Sequence, residues 1–105
     1  MIQAQISYYQ DKISGFKLSG HAGSGEYGHD IVCAAVSALA INTVNSLEKL
    51  ADSNPVIESD EGSGFLNIKL PIDQIQHPKV QLLLESFKLG LLDIENSYDK
   101  YIEIK

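Results

Sequence analysis

The sequence predicts an α+β fold: a single domain over residues 1–105, with a mainly antiparallel sheet packed with two helices. Three observations carry this. Apolar residues alternate with period two near the start of the chain, around residues 56–70 and again at the end. They recur at helical spacing in two longer stretches, one opening at Asp30 and one at Pro78. The resulting order, ββαββαβ, contains no linker, repeat or low-complexity tract, and a chain of 105 residues can build one core without disulfide or metal.

Taken in order, Ile2, Ala4, Ile6 and Tyr8 alternate with Gln3, Gln5, Ser7 and Tyr9, the pattern of a half-buried strand. Gln10, Asp11 and Lys12 form a polar turn, and Phe16 and Leu18 mark a second strand ending near Gly20, so the pair reads as a hairpin. From Asp30, the residues Val32, Val36, Leu39, Thr43, Leu47 and Leu50 fall on one helical stripe that ends near Ala51, before Asn54-Pro55. The first half of this helix is apolar on nearly every side, which predicts burial on more than one face. Residues 56–58 and 65–70 flank the turn-rich stretch 59–64 as a second hairpin, with Leu66, Ile68 and Leu70 on one face. Pro78 suits the first position of a second helix, where its missing N–H loses nothing; Val80, Leu83, Leu84, Phe87, Leu91 and Ile94 give its core stripe. Residues 101–105 alternate once more as a last strand. Two layers or three both satisfy the pattern, and it leaves strand order open.

Composition narrows the setting. With 44% hydrophobic and 21% charged residues the chain is of ordinary globular type. A single cysteine excludes an internal disulfide and fits a reducing compartment. The opening MIQAQISYYQ lacks the basic head and apolar run of a secretion signal. The apolar run from Ile31 to Ile41, broken only by Ser37, falls short of the roughly 20 residues that span a bilayer. A cytoplasmic location is therefore expected. A formal net charge of −6 argues against direct binding to nucleic acid or an anionic membrane, and favours a basic partner.

The chemistry concentrates in SGHAGSGEYGHDIVCAAVS, residues Ser19 to Ser37. A lone cysteine on an alanine-rich helix is commonly a small buried hydrophobe. With Asp30 as N-cap, however, Cys33 is the third residue of the helix, where unpaired N–H groups favour a thiolate. Asp30 opposes that through its charge, so a nearby cation is required, and His21 is placed to supply it. A base beside a thiol at a helix start is the arrangement a cysteine nucleophile requires. The bland alternative for His21 is a surface histidine before a loop, and the spacing does not separate the two. Ser37, one turn beyond Cys33, either returns its hydroxyl to the backbone or orients His21. Asp30 reads first as the cap and second as a third catalytic member.

Two other chemistries fit less well. Residues 23–28 spell GxGxxG, but they follow a hairpin, lack a nearby lysine or arginine and contain Glu26, so dinucleotide binding is rejected. The glycines read better as hinges of a lid, Gly20 at one end and Gly28 at the other. A metal site from His21, His29 and Cys33, with Asp30 or His77, lacks the usual ligand set and helical alignment, so neither metal nor cofactor is expected.

The stretches Gly20-His21-Ala22, Glu26-Tyr27-Gly28 and Asp30 to Ser37 closely resemble the signature of the Prp family of ribosomal-processing cysteine proteases. The resemblance extends in length and element order over essentially the whole chain. It implies Cys33 as nucleophile, His21 as base, Asp30 and Ser37 as supporting groups, and Gly20 and Gly28 as brackets of a flexible loop. It further implies a homodimer and a defined substrate: the precursor of large-subunit ribosomal protein number twenty-seven, whose amino-terminal extension is removed. The cut implied falls after aromatic residues and before a lysine-rich terminus, for which Glu26, Asp30 and Tyr27 are candidate contacts. A noncatalytic ribosome-assembly factor that binds the same precursor is the alternative from another class.

Overall fold

The computed structural model describes residues 1–20, 27–60 and 62–105, with side chains described outside residues 27–30. The alternation at the start becomes strand β1, Ile2–Tyr9, with Ile2, Ala4 and Ile6 buried. Strand β2, Lys12–Ser19, runs back antiparallel to it. The turn is tighter than the sequence implied: Lys12 already pairs with Tyr9, and Gln10 takes φ 58°. Ser7 faces Gly15 while Tyr8 faces Ile13, so Ser14 is an extra residue that bulges the ladder. Its carbonyl accepts from Leu70 N–H at 2.9 Å. Gly15 is required here, because a Cβ would collide with the carbonyl oxygen of Ile68.

Helix α1, Tyr27–Leu50, is followed by β3, Val56–Asp60, and β4, Phe65–Lys69; helix α2, Pro78–Ser97, leads to β5, Ile102–Ile104. The five strands lie in the order β3-β4-β2-β1-β5, antiparallel except for β1 with β5. Cross-strand pairs carry Phe16 and Leu18 of β2 opposite Ile68 and Leu66 of β4 on one face. Gln3, Gln5, Lys17, Lys69 and Lys105 are exposed, so the opposite face is polar. Both helices cover the apolar face, giving two layers rather than three.

Helix α1 buries Val32, Val36, Ala40, Thr43 and Leu47, a row at three- and four-residue spacing. The expected burial on further faces is not found: Ile41 and Leu50 are 60% and 65% exposed, and Ala34 and Ala38 face outward. The stretch Ile31–Leu50 is long and apolar enough to cross a membrane by length and composition. Its buried row sits in the core, which needs the same composition. Asp52, at φ 55°, turns the chain out of the helix, and Ser53 N–H donates to Leu47 O at 2.9 Å.

Helix α2 starts as expected, with Pro78 in its first turn and His77 Nδ1 accepting from Lys79 N–H at 3.1 Å. His77 is thereby a cap. Val80, Leu84, Phe87 and Leu91 are buried, and the rings of Phe87 and Phe16 lie 4.0 Å apart between centroids. Gln81 ties the helix to β2: its side chain accepts from Ile13 N–H at 3.0 Å and donates to Ile13 O at 2.8 Å. Further along α2, a Cβ on Gly90 would stand 2.7 Å from the Leu39 side chain of α1, so the two helices approach closely.

Candidate active site

At the end of the sheet where β1 begins and β2 and β3 end, a groove of about 530 Å³ opens between α1 and the β3–β4 hairpin. Cys33, Val36, Ser37, Ala40 and Ile41 of α1 form one wall. Ser59, Asp60, Gly64, Phe65 and Leu66 form the other, with Ile2, Leu18 and Gly20 beneath. Cys33 is half-buried, its flank packed on the core and its groove side open. The lining is mainly apolar with polar groups at the ends, the character of a site for a peptide rather than for a small anion.

Of the residues singled out in the sequence, Cys33, Ser37 and Gly20 line this groove. Tyr27, Gly28 and Asp30 lie in the opening turns of α1, and His21 and Glu26 lie outside the described residues. The helix begins three residues earlier than the sequence implied. Asp30 is therefore its fourth residue and not its N-cap, and Gly28 is the second residue of the helix. The physical reason is that an acidic residue suits the first turn as well as the cap, so Asp30 marks the start only within a turn.

The same shift moves Cys33 to the seventh position. There, backbone N–H groups are donated to carbonyls four residues back, and the dipole has faded. Interior helix N–H groups are thus not available as oxyanion donors. The back-bonding read as one option for Ser37 occurs at Thr43, whose Oγ1 donates to Leu39 O at 2.8 Å. Among the described residues, no group of three or more metal-ligating side chains converges.

Gly20 has a definite local task. At φ +80° it occupies a region that side chains disfavour, and a Cβ would stand 2.5 Å from Met1 O. Gly20→Ala is expected to lose about 1–3 kcal/mol of stability in chemical denaturation. Because the residue also lines the groove, kcat/KM should fall with it.

The far wall escaped the sequence reading. Residues 59–64 were legible as a turn, but nothing along the chain said that β4 would pair with β2 and so face the hairpin toward Cys33. A second cleft of about 500 Å³, at Met1, Leu92, Glu95, Asp99 and Glu103, holds neither cysteine nor histidine.

A thiol on a helix wall above an antiparallel sheet, facing a groove, is the placement a cysteine nucleophile would need. The comparisons agree: the family model described as "Cysteine protease Prp" matches residues 1–103. The chain belongs to this family and is a cysteine protease. A Bacillus subtilis protein named "Ribosomal processing cysteine protease Prp" is 36% identical over 99% of this chain and 96% of its own length. A Staphylococcus aureus protein of the same name is 35% identical over 99% of this chain and 97% of its own. Among solved structures, a Streptococcus mutans protein superposes with TM-score 0.93 at 44% identity, covering 100% of this chain and 92% of that one. The essential ribosomal processing protease Prp of S. aureus, crystallised with a substrate peptide, gives TM-score 0.90 at 32% identity, covering 100% and 98%. The same enzyme has been crystallised with a covalently linked product peptide.

Proposed function

We propose that this protease removes the amino-terminal extension from the precursor of large-subunit ribosomal protein number twenty-seven, with Cys33 as nucleophile and His21 as base. The observation that carries this reading is the position of the chain's one cysteine in the wall of the peptide-sized groove. The relatives' names support the substrate class, and a relative's covalent product complex supports an acyl-enzyme route.

In the reaction, His21 takes the proton of the Cys33 thiol and the sulfur attacks the scissile carbonyl. The tetrahedral intermediate collapses to a thioester as His21 returns the proton to the leaving amine. Water, deprotonated by the same imidazole, then releases the extension. Ser37, beside Cys33 in the groove, is assigned to orient His21 or the substrate, and Asp30 remains the alternative support. Gly20 is the hinge retained for movement near His21. The whole of residues 1–105 acts as one protease domain in the cytoplasm. A second copy is assigned to the exposed apolar side of α1, around Ala34 and Ala38.

Apolar groove residues such as Phe65 and Leu66, with Tyr27, suit the aromatic residues before the cut, and carboxylates including Glu26 suit the lysines after it. Incubation of the purified protein with the precursor should yield a product lighter by the extension, read by mass. Replacing the aromatic residues before the cut should remove most processing, while added salt should weaken it only modestly. A precursor that is bound but leaves with unchanged mass would overturn the proposal in favour of an assembly factor.

A further inference from the structure

We propose that the open edge of β3 holds the substrate as an added strand, so that the peptide reaches Cys33 already paired to the sheet through its backbone. The inference rests on the protease reading above and deepens it.

The two edges of the sheet are built differently. β5 is three residues long, and Ile104 N–H donates to Glu95 Oε2 of α2 at 2.8 Å, which closes that side. Among the described residues, β3 is the other outer strand and pairs only with β4. All five of its residues are exposed, Val56 at 56% and Ile57 at 44%. Its register with β4 runs without a bulge, and it contains neither lysine nor internal proline. Alternate residues of such a strand turn N–H and C=O outward, and an edge left in this state, apolar at Val56 and Ile57 and acidic at Glu58 and Asp60, invites pairing unless a partner is meant for it. An extended backbone is the ligand that satisfies such a row.

The edge also leads to the chemistry. Ser59 and Asp60, the last residues of β3, line the groove that contains Cys33, so a strand laid along β3 runs into it. This continuity favours substrate over a second copy as the occupant. Register sets the pattern recognised: Ile57 faces the helix layer with Ile68, whereas Glu58 lies with Asn67 on the polar face. The bound segment should therefore carry apolar side chains toward α1, with a basic one outward beside Glu58.

The test uses a peptide spanning the precursor's cleavage site and a series in which one backbone nitrogen at a time is methylated, away from the scissile bond. With wild-type enzyme, kcat/KM should fall roughly tenfold at alternate positions on one side of the cut and little between them. An even profile, with the parent peptide cleaved, overturns the edge proposal and leaves the protease reading intact. A parent peptide that is not cleaved overturns the substrate assignment, and this inference with it. In the Cys33→Ala variant, the same parent peptide should slow hydrogen exchange at alternate amides of β3 and leave β5 unchanged. Protection of β3 without peptide, rising with protein concentration, would assign the edge to a second copy and refute the proposal.

Discussion

Cys33→Ala is expected to lower cleavage by roughly 10⁴-fold or more, while shifting stability by no more than about 1 kcal/mol. The two effects separate because the side chain is only half-buried and the role proposed for it is in the groove. His21→Ala should cost as much, since nucleophile and base act as a unit and losing either stops the same step. Cys33→Ser should also be nearly inactive, because a hydroxyl gives up its proton far less readily than a thiol to the same imidazole. Product mass and kcat/KM on the precursor peptide measure the loss, and thermal melts measure the fold. A fully active alanine variant would remove Cys33 from the mechanism.

The second large effect is on stability. Phe87→Ala should destabilise the protein by about 3–5 kcal/mol, because the ring is 1% exposed and stacks against Phe16 at 4.0 Å. That is a large share of the 5–15 kcal/mol typical of a whole domain, and the melting midpoint should drop by more than about 10 °C. Leu82→Ala is the control: that side chain lies on the same helix at 70% exposure, and its loss should stay within about 0.5 kcal/mol. Equal losses for the two variants would refute the assignment of the core.

How far each feature was legible follows from its physics. Local periodicity fixed β1 through Ile2, Ala4 and Ile6, and α2 through Val80, Leu84, Phe87 and Leu91, because burial on one face imposes its own spacing. The α1 stripe was right as far as Leu47 and failed at Leu50, which is exposed while Ala51 after it takes the buried place. Its start was misplaced because Gly28 looked like loop and is instead carried in the helix, at a penalty of about 1 kcal/mol relative to alanine. Strand order was not legible. It depends on β4 choosing β2 as a neighbour across half the chain, a choice made by packing of Ile68 and Phe16. The site divided in the same way: Cys33 and Ser37 stood out as neighbours on a helix, while the opposing hairpin wall needed the sheet.

The parallel ladder of β1 with β5 bears on the order in which the chain assembles. Ile2 N–H donates to Tyr101 O at 2.9 Å and Lys105 N–H to Ala4 O at 2.8 Å, so the extremes of the chain are stitched side by side. The β1–β2 hairpin is a local contact, whereas this ladder joins residues about a hundred positions apart, the kind of contact that slows folding. Three residues on the rim of a sheet are also the part released most easily. Transient fraying of β5 would expose the β1 edge, free Glu95 from Ile104 and release the N–H of Ile2, a residue that lies beneath the groove holding Cys33. The most easily released rim of the sheet thus borders the floor of the groove through Ile2, so loosening at the chain's two ends would be felt beside Cys33.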